Sequence, residues 1–312
     1  MKTHKIFFLF SAICFSLIAC HKDKHVNQIP EVQLFSDRSV QIKAQPLDTI
    51  HLSGTATDDD GAIVSYLWSQ VSGPNSSVIA NPGSQSTVVN GLISGVYVFQ
   101  LSATDNDGAT GTKSMNVTVM APQSFTVTLS PSDNPDESLI AGNNSADYTS
   151  PHFTEVDAAT WTINAIPVSL RGSLKFDISS IPAGATIVSA QLSLFSNPTP
   201  SNGNLVNANY GTSNAMYIKR ITSNWNATTT TWFTQPSTES ADQIVVPQTS
   251  QSTLDLTDLD VTAMVNKMYT EANYGFMLQL QNEVTYNSRI FCSSWYSDAT
   301  KYPKLVVNYT KY

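Results

Sequence analysis

The fold class follows from the stretch LKFDISSIPAGATIVSAQLSLF, residues 174–195, in which a turn separates two runs of alternating apolar residues. The apolar positions are Leu174, Phe176 and Ile178 in the first run and Val188, Ala190, Leu192 and Leu194 in the second. A period of two residues is typical of half-buried β-strands, and Pro182 with Gly184 favours a turn between them. The stretch therefore predicts two half-buried strands joined by a short connection.

Asp177 is the acid of this stretch. It is either a catalytic carboxylate or a residue that stabilises the end of the strand. It lies on the polar face just before the turn, where an aspartate can accept backbone N–H hydrogen bonds. Hydrolysis of a glycosidic bond would need a second carboxylate about 5–10 Å away. Because no second acid recurs with Asp177 in a recognisable pattern, we predict a structural role.

The composition favours an all-β protein of about two domains. The chain has 312 residues, of which 41% are hydrophobic and 13% are charged, which excludes a charge-rich disordered protein. It is rich in Ser, Thr, Asn and Val, which favour strands and turns. The formal net charge of −8 argues against a nucleic-acid partner, and against binding to anionic lipid by charge alone.

The chain begins with the features of a secretory signal peptide, which we place at residues 1–19. Two lysines precede the apolar run IFFLFSAICFSLIA, which is shorter than the roughly 20 residues of a membrane-spanning helix. The run ends in Leu17-Ile18-Ala19-Cys20, which resembles a bacterial lipobox. That resemblance implies cleavage before Cys20 and acylation of the cysteine. The alternative is an ordinary signal peptide cut near Ala19.

Residues 20–28 are predicted to form a polar tether, so that the chain is lipid-anchored at the outer membrane. Lys22-Asp23 resembles the surface-export signals of some lipoproteins, which favours the cell surface over the periplasm-facing alternative. A solvated tether without an export signal is the other interpretation. Cys14 would leave with the signal peptide, so only Cys292 remains for the folded domains, and we expect it to be a buried, small apolar residue.

Residues 29–121 are predicted to form the first domain, a β-sandwich. The segments TIHLSGTAT, VYVFQLSAT and KSMNVTV all alternate apolar and polar residues. The stretches DDDGAIVSYLWSQVSGP (58–74) and ATDNDGATG (103–111) resemble the PKD family of immunoglobulin-like sandwiches. The resemblance implies a spacer or interaction module without catalysis, with Trp68 in the core by analogy with other such sandwiches.

Two acidic loops of this domain are a candidate calcium site. The acids proposed as ligands are Asp58, Asp60, Asp105 and Asp107. Calcium takes six to eight oxygen ligands, often carboxylates from loops. The alternative is that the Asp-Gly pairs only form tight turns, since both residues tolerate positive φ. No other cofactor is predicted.

Residues 123–312 are predicted to form the second domain, a sandwich with one short helix. Val261, Met264, Val265 and Met268 have the spacing of a buried helix face, and Asp258 or Asp260 would cap the helix start. The matching pieces of a second resemblance are RGSLKFDISSIPAGATIVSAQLSLF, SNWNATTTTWFTQP, LDVTAMVNKMYTEANYGFMLQL and SRIFCSSWYS with YPKLVVNY. These resemble the DNRLRE domain, also classed as carbohydrate-binding module family 96. The start of the domain, residues 136–150, departs from the family pattern.

The family resemblance implies a jelly-roll sandwich that binds polysaccharide, with acidic algal-type glycans as one substrate class. Sugar binding needs flat aromatic rings and polar side chains. We expect Trp225 and Trp232 to anchor a loop. In the segment NSRIFCSSWYS, residues 287–297, alternation predicts that Arg289, Phe291, Ser293 and Trp295 face outward. The proposed sugar contacts are Arg289, Trp295, Tyr296 and Tyr302, with Tyr217 and Lys219 as a weaker second set.

Catalytic motifs do not occur in the sequence. It has no HExxH, GxSxG, CxxC or P-loop pattern, and His51 and His152 are isolated. A dispersed Ser-His-Asp triad stays open as an alternative. We therefore predict a surface lipoprotein that binds polysaccharide without chemistry, as part of a glycan-uptake or degradation complex, with the PKD-like domain as a spacer. The alternative is a structural or adhesive surface protein that contacts proteins or other cells.

Overall fold

The computed structural model describes residues 26–35, 38–41, 49–131, 137–143, 146–151 and 153–312. The signal peptide, the lipidation site Cys20 and His152 lie outside the described residues. Within those residues, no helix is both long and apolar enough to cross a membrane. The chain divides into two compact units between Met120 and Ala121, and each is described by itself.

The described residues of the first unit form eight strands in two four-stranded sheets. The strands are β1 (Glu31–Leu34), β2 (Arg38–Gln41), β3 (Ile50–Thr57), β4 (Ile63–Ser72), β5 (Val78–Ile79), β6 (Ser86–Asn90), β7 (Gly95–Asp105) and β8 (Thr110–Met120). One sheet has the order β1-β3-β6-β5 and the other has the order β2-β8-β7-β4. The strands pair antiparallel, except that β2 pairs parallel to β8.

The core of the first unit lies between these two sheets, as the alternating sequence predicts. Tyr97, Phe99, Leu101 and Ala103 on β7 are all fully buried. Trp68 on β4 is 1% exposed and packs in the same core, which confirms its predicted position. Burial of this many aromatic and aliphatic side chains is the main stabilising contribution to a domain without disulfides.

The second unit is also a sandwich. Its strands are β9 (Gln123–Leu129), β10 (Glu137–Asn143), β11 (Ala146–Pro151), β12 (Glu155–Ile163), β13 (Ile166–Leu174), β14 (Thr186–Leu194), β15 (Asn209–Tyr210), β16 (Met216–Ile221), β17 (Thr238–Val246), β18 (Leu256–Asp260), β19 (Phe276–Leu280), β20 (Asn287–Cys292) and β21 (Lys304–Lys311). The larger sheet has the order β15-β20-β12-β13-β19-β16-β17, with β10 paired to β13 and β11 to β10. The smaller sheet has the order β18-β14-β21-β9. The predicted all-β, two-sandwich fold is confirmed.

The two predicted strands around residues 174–195 are present, with two differences. β13 ends at Leu174, so Phe176 and Ile178 follow the strand rather than belong to it, although Phe176 is still buried. On β14 the register shifts between Ile187 and Ser189. This bulge buries Ile187 and turns Val188 outward, so the predicted inward position of Val188 is wrong.

The single helix of the described residues, α1 (Thr262–Thr270), buries Met264, Val265 and Met268 as predicted. The N-cap position is Val261, which makes no side-chain capping bond. Asp260 instead accepts hydrogen bonds from the Thr262 hydroxyl at 2.6 Å and from the Thr262 backbone N–H at 3.0 Å, and these two bonds lower the pKa of Asp260. Asp260 therefore stabilises the helix start from one position before the cap. A short 3-10 turn follows later, at Ala299–Lys301.

Candidate functional site

A cavity of about 630 Å³ opens where β15 and two turns meet at the end of the larger sheet. Its polar and aromatic lining consists of Asn207, Asn209, Tyr210, Thr212, Thr249, Ser250, Ser252, Thr285, Tyr286 and Asn287. None of the lining side chains is charged. Amides, hydroxyls and aromatic rings are the groups that hold the hydroxyls and the apolar faces of sugars.

Local backbone geometry fixes this cavity. Asn209 and Tyr210 pair with Arg289 and Ser288 on β20, which places β15 at the edge of the sheet. Gly211 then adopts φ +86, and a Cβ there would collide with the Asn287 side chain and the Tyr286 carbonyl. The Asn287 amide accepts from the Ser213 N–H at 2.6 Å and donates to the Val284 carbonyl at 2.9 Å. These bonds lock the two turns together.

Three aromatic rings form one cluster beside the cavity, which we call the aromatic triad: Trp161, Tyr210 and Tyr286. The ring centroid of Trp161 lies 5.7 Å from that of Tyr210 and 5.1 Å from that of Tyr286, both in edge-to-face geometry. Tyr210 is 39% exposed and Tyr286 is 53% exposed. Trp161 also lines a neighbouring cavity of about 300 Å³. The triad therefore offers exposed ring surface at the mouth of a polar cavity.

Asn209 is the polar side chain that the cavity leaves unsatisfied. It is 4% exposed, it lines the cavity, and neither its Oδ1 nor its Nδ2 has a hydrogen-bond partner among the described residues. Its backbone N–H donates to the Ser252 carbonyl at 2.9 Å, which fixes its position. A buried amide normally finds partners for its donor and acceptor, so this one is placed to bind a ligand or water.

The prediction that Arg289, Phe291 and Ser293 face outward is wrong, because all three are fully buried. Strand β20 lies between β12 and β15 in the sheet, and the 196–208 segment bonds to its backbone as well. Alternation cannot separate inner from outer residues on a strand that is covered on both faces. Burial lowers the pKa of Arg289 to about 10, and its Nη1 donates to the Pro247 carbonyl at 3.1 Å.

Cys292, on the same strand, is fully buried as predicted, and burial raises the pKa of its thiol to about 12. A thiol with that pKa is a poor nucleophile at neutral pH. Trp295 follows the strand and is 39% exposed, while Tyr296 and Tyr302 are half-buried. The structure does not bring these three residues to the cavity lining, and their glycan contact stays a prediction.

A buried acid pair lies under the 196–208 segment. Glu155 accepts hydrogen bonds from the Asn197 side chain at 2.6 Å and from the Asn202 N–H at 3.1 Å. Asp157 accepts from the Asn202 side chain at 2.9 Å. Burial, and then the neighbouring Glu155 carboxylate, raise the pKa of Asp157 well above its ordinary value. The pair fixes Asn202, which lines the smaller cavity beside Trp161.

The sequence model of carbohydrate-binding module family 96 matches residues 141–309, more than half of the chain. The chain belongs to this family. The family 96 module therefore contains the aromatic triad and the whole polar cavity, and membership supports carbohydrate binding. A second family model, described as the K319L-like PKD domain, matches residues 36–119 and confirms a PKD domain before the module.

Two curated proteins and one solved structure are each similar to part of this chain. The mouse (Mus musculus) dyslexia-associated protein KIAA0319-like protein is 34% identical over 93 residues, which cover 30% of this chain and 9% of that protein. The human (Homo sapiens) low-density lipoprotein receptor-related protein 11 is 36% identical over 75 residues, covering 24% and 15%. The solution structure of the PKD domain from KIAA 1837 protein is 33% identical, with a TM-score of 0.25, covering 28% of this chain and 83% of that chain. The chain thus spans only a small part of the length of these curated relatives.

Tyr217 and Lys219, the second predicted contact set, lie in a cluster on the larger sheet of the family 96 module. Lys219 Nζ lies 5.0 Å from the ring centroid of Tyr217 and donates to Gln279 Oε1 at 3.1 Å. Burial and then the nearby Arg171 charge lower the pKa of Lys219. Sugar contact by Tyr217 and Lys219 stays a prediction.

Arg171, whose charge lies near Lys219, already forms an ion pair. Arg171 forms a bidentate ion pair with Glu283, with N–O distances of 2.7 and 3.0 Å. Its guanidinium also lies 4.5 Å from the ring centroid of Trp232. Trp225 donates from Nε1 to the Tyr274 carbonyl at 2.6 Å. Both tryptophans therefore hold their loop to the sandwich, as predicted.

Two carboxylates of the family 96 module lie beside the same cleft. Asp177 and Glu271 both line a cavity of about 750 Å³. Asp177 accepts the Ser179 N–H at 2.8 Å, and this bond lowers its pKa, which supports the predicted structural role. Glu271 is paired with Arg220 Nη2 at 2.8 Å. A glycosidase general acid needs a raised pKa, and the pKa of Asp177 is lowered instead.

The two acidic loops of the PKD domain do meet at one end of its sandwich. The Ala62 N–H donates to Asn106 Oδ1 at 2.6 Å, and the Asn106 N–H donates to the Ala62 carbonyl at 3.0 Å. Asp105 accepts the N–H groups of Asp107 and Ala109 at 2.8 and 2.9 Å, so its Oδ1 closes the turn. No group of three or more acid, histidine or cysteine side chains suited to a metal forms among the described residues. Calcium binding by these loops stays a prediction.

Proposed function

We propose that this chain is a surface lipoprotein that binds polysaccharide, without chemistry, through its family 96 module. The observation that carries the proposal is the position of the aromatic triad at the mouth of an uncharged, amide- and hydroxyl-lined cavity of about 630 Å³. Tyr210 and Tyr286 would stack on the apolar faces of sugar rings, and the amides would bind hydroxyls. Carbohydrate-binding modules and PKD domains are typically non-catalytic, in keeping with this role.

The rest of the chain would hold the module at the cell surface. Acylation at Cys20 would anchor it in the outer membrane, the 20–28 tether would follow, and the PKD domain would act as a spacer. A bound polysaccharide would then be concentrated near a surface complex for glycan uptake or degradation. The mature chain would be acidic, because residues 1–19 hold two lysines and no acid.

Affinity electrophoresis tests the binding proposal. The full chain with Cys20→Ser would be run through gels that contain neutral or acidic polysaccharides, beside the added substitutions Tyr210→Ala and Tyr286→Ala. Phe125→Ala is the matched control, because Phe125 is 42% exposed against 39% for Tyr210 and does not line the cavity. Trp295→Ala tests the predicted contact in the 295–302 segment. We expect one or more glycans to retard the parent, each tyrosine variant to lose roughly tenfold in affinity, and the control to keep it.

Two other results would change the proposed binding site or the proposed function. Retardation lost in Trp295→Ala but kept in both tyrosine variants would move the site to the 295–302 segment. If no glycan retards the parent chain, the adhesive or structural alternative replaces polysaccharide binding.

A separate experiment tests the anchor. Cells that express the chain would be labelled with a radioactive fatty acid, and intact cells would be treated with protease. We expect label in the parent and none in Cys20→Ser, and digestion of the parent on intact cells. A labelled but protected chain would place the module on the periplasmic side.

A further inference from the structure

We propose that the smaller cavity beside Trp161 holds an acetyl group of the bound sugar, so that this chain prefers acetylated glycans. The inference rests on the proposed function and specifies its substrate class. It concerns a substituent of the sugar and not the charge of the glycan backbone. It starts from the way in which the aromatic triad joins two cavities of different chemistry.

The two cavities are connected through the aromatic triad. Tyr210 and Tyr286 line the larger, polar cavity, and Trp161, which contacts both rings, lines the smaller cavity of about 300 Å³. The 201–210 segment lines both, the smaller cavity with its first half and the larger cavity with its second half. A sugar that stacks on the tyrosine rings would therefore extend a neighbouring substituent over Trp161.

The buried lining of the smaller cavity, which we call its floor, is apolar. It consists of Val168 and Leu170, which are 2% and 6% exposed and pack in a small cluster apart from the main core of the module. Ile163 and Leu205 add exposed apolar surface to the lining. A sugar hydroxyl against this floor would lose its bond to water without replacement, whereas a methyl group would gain from burial. The floor therefore selects a methyl group.

The polar lining of the smaller cavity suits the other half of an acetyl group. It consists of Thr162, Ser201 and Asn202, and no charged side chain lines the cavity. The hydroxyls of Thr162 and Ser201 are donors for a carbonyl oxygen, which is the polar atom of an acetyl group. An acetyl group carries its methyl and its carbonyl oxygen on the same carbon, so it matches both parts of the lining.

The side of the cavity that Asn202 forms is already held in place by the buried acid pair. The Asn202 N–H donates to Glu155 at 3.1 Å, and Asn202 Nδ2 donates to Asp157 at 2.9 Å. Both acids lie on β12, as Trp161 does. Because these bonds fix the segment beside β12, binding does not have to order it, which favours affinity.

The test uses the full chain with Cys20→Ser and pairs of probes that differ in acetylation. The O-acetyl pairs are acetylated xylan with deacetylated xylan, and acetylated alginate with deacetylated alginate. The N-acetyl pair is chitohexaose with cellohexaose, which has a hydroxyl in place of each acetamido group. Affinity electrophoresis for the polymers and titration calorimetry for the hexasaccharides give the dissociation constants. We expect the acetylated member of at least one pair to bind roughly tenfold more tightly, through one buried methyl group and one hydrogen bond.

The decisive variant is Leu205→Ala, which removes apolar lining at a side chain that is 67% exposed, so that Tm should not change. We expect the affinity ratio of the responding pair to fall roughly threefold, while the affinity for the deacetylated member stays the same. Val206→Ala is the matched control, since Val206 is 77% exposed and lines neither cavity. Thr162→Val, which keeps the shape and removes a hydroxyl, should lower the same ratio.

Each other outcome overturns the inference in a recognisable way. Equal or tighter binding of the deacetylated member in every pair would reject acetyl recognition and leave polysaccharide binding intact. A preference for acetylated probes that survives in both Leu205→Ala and Thr162→Val would place acetyl recognition outside the smaller cavity, again with the function intact. No binding of any probe would reject the proposed function and the inference together.

Discussion

The indole ring of Trp161 meets the phenol ring of Tyr286 edge to face, with the centroids 5.1 Å apart and the ring planes at 87°. Trp161 contacts Tyr210 in the same manner at 5.7 Å. The half-buried indole thus supports the two more exposed tyrosines at the cavity mouth. Tyr286 adopts φ +65, a left-handed backbone conformation that a large residue rarely adopts without support.

The contact between Trp161 and Tyr286 should be measurable as a coupling energy. We expect a double-mutant cycle of Trp161→Ala and Tyr286→Ala to give about 0.5–1.5 kcal/mol in the free energy of unfolding, because edge-to-face pairs contribute that much beyond burial. Urea unfolding of the four chains provides the measurement. A coupling near zero would mean that the indole does not hold the tyrosine in place.

Gly211→Ala should damage the site from the backbone. The substitution places a Cβ against the Asn287 side chain and the Tyr286 carbonyl at a residue with φ +86. We expect a loss of about 2 kcal/mol in stability and a weaker affinity for the bound glycan. Gly184→Ala is the control, since it has a similar φ of +79 but open space around its Cβ. If both variants lose the same affinity, the Gly211 turn does not shape the site.

Asp157→Asn should stabilise the chain at neutral pH. The pKa of Asp157 is raised well above 3.8, so the folded chain holds a proton at pH values where the unfolded chain has released it. The contribution of Asp157 to stability is therefore full below about pH 4 and declines as the pH rises through the raised folded pKa. We expect a gain on the order of 1 kcal/mol or more at pH 7 that disappears near pH 4, measured by urea unfolding at each pH.

Asp177→Asn should give the opposite sign and serves as the comparison. The Ser179 N–H lowers the pKa of Asp177, so its stabilising effect is present at neutral pH and is lost as the pH falls through the folded pKa. We expect a small loss of stability at pH 7. Equal signs for Asp157→Asn and Asp177→Asn would contradict the assigned environments.

Trp68→Phe should lower the stability of the PKD domain and leave glycan affinity unchanged. The indole is 1% exposed, so the smaller ring leaves a void, although it also removes the indole N–H, which has no partner in the described part of the chain. We expect a loss of about 2 kcal/mol. Calorimetry and affinity electrophoresis of the same sample provide the check. A change in affinity would show that the PKD domain is more than a spacer.

Calcium at the acidic loops of the PKD domain stays a prediction with a direct test. Partial burial and the neighbouring carboxylates of Asp60 and Asp105 raise the pKa of Asp58. Asp58→Asn should therefore raise Tm at neutral pH when calcium is absent. If calcium binds there, it should raise the Tm of the parent and not that of the variant. An equal response of both chains to calcium would remove Asp58 from the ligand set.

The sequence predicted the two cores well, because each depends on local alternation. Tyr97, Phe99 and Leu101 on β7 and the helix residues Met264 and Met268 are buried as their spacing indicates. The predicted inward position of Val188 was wrong because a β-bulge interrupts the strand there. A bulge depends on how two strands pair, and a count of alternating residues does not detect it.

The site was harder to predict because pairing of distant segments creates it. Trp161, Tyr210 and Tyr286 lie on or beside β12, β15 and β20, and only the sheet order brings them together. One signal was present: the dipeptides Asn209-Tyr210 and Tyr286-Asn287 each combine an aromatic ring with an amide next to a turn. Arg289 and Trp295 were predicted as sugar contacts instead, because alternation assigned both residues to an exposed face.

The parallel pairing of β2 with β8 has a mechanical consequence. β2 lies near the start of the PKD domain and β8 at its end, and four residue pairs join them, from Arg38–Val117 to Gln41–Met120. A force that pulls the two ends of the domain apart loads these pairs in shear, so that their hydrogen bonds must break together rather than one after another. A domain connected in this way should resist extension along the line that joins its two ends.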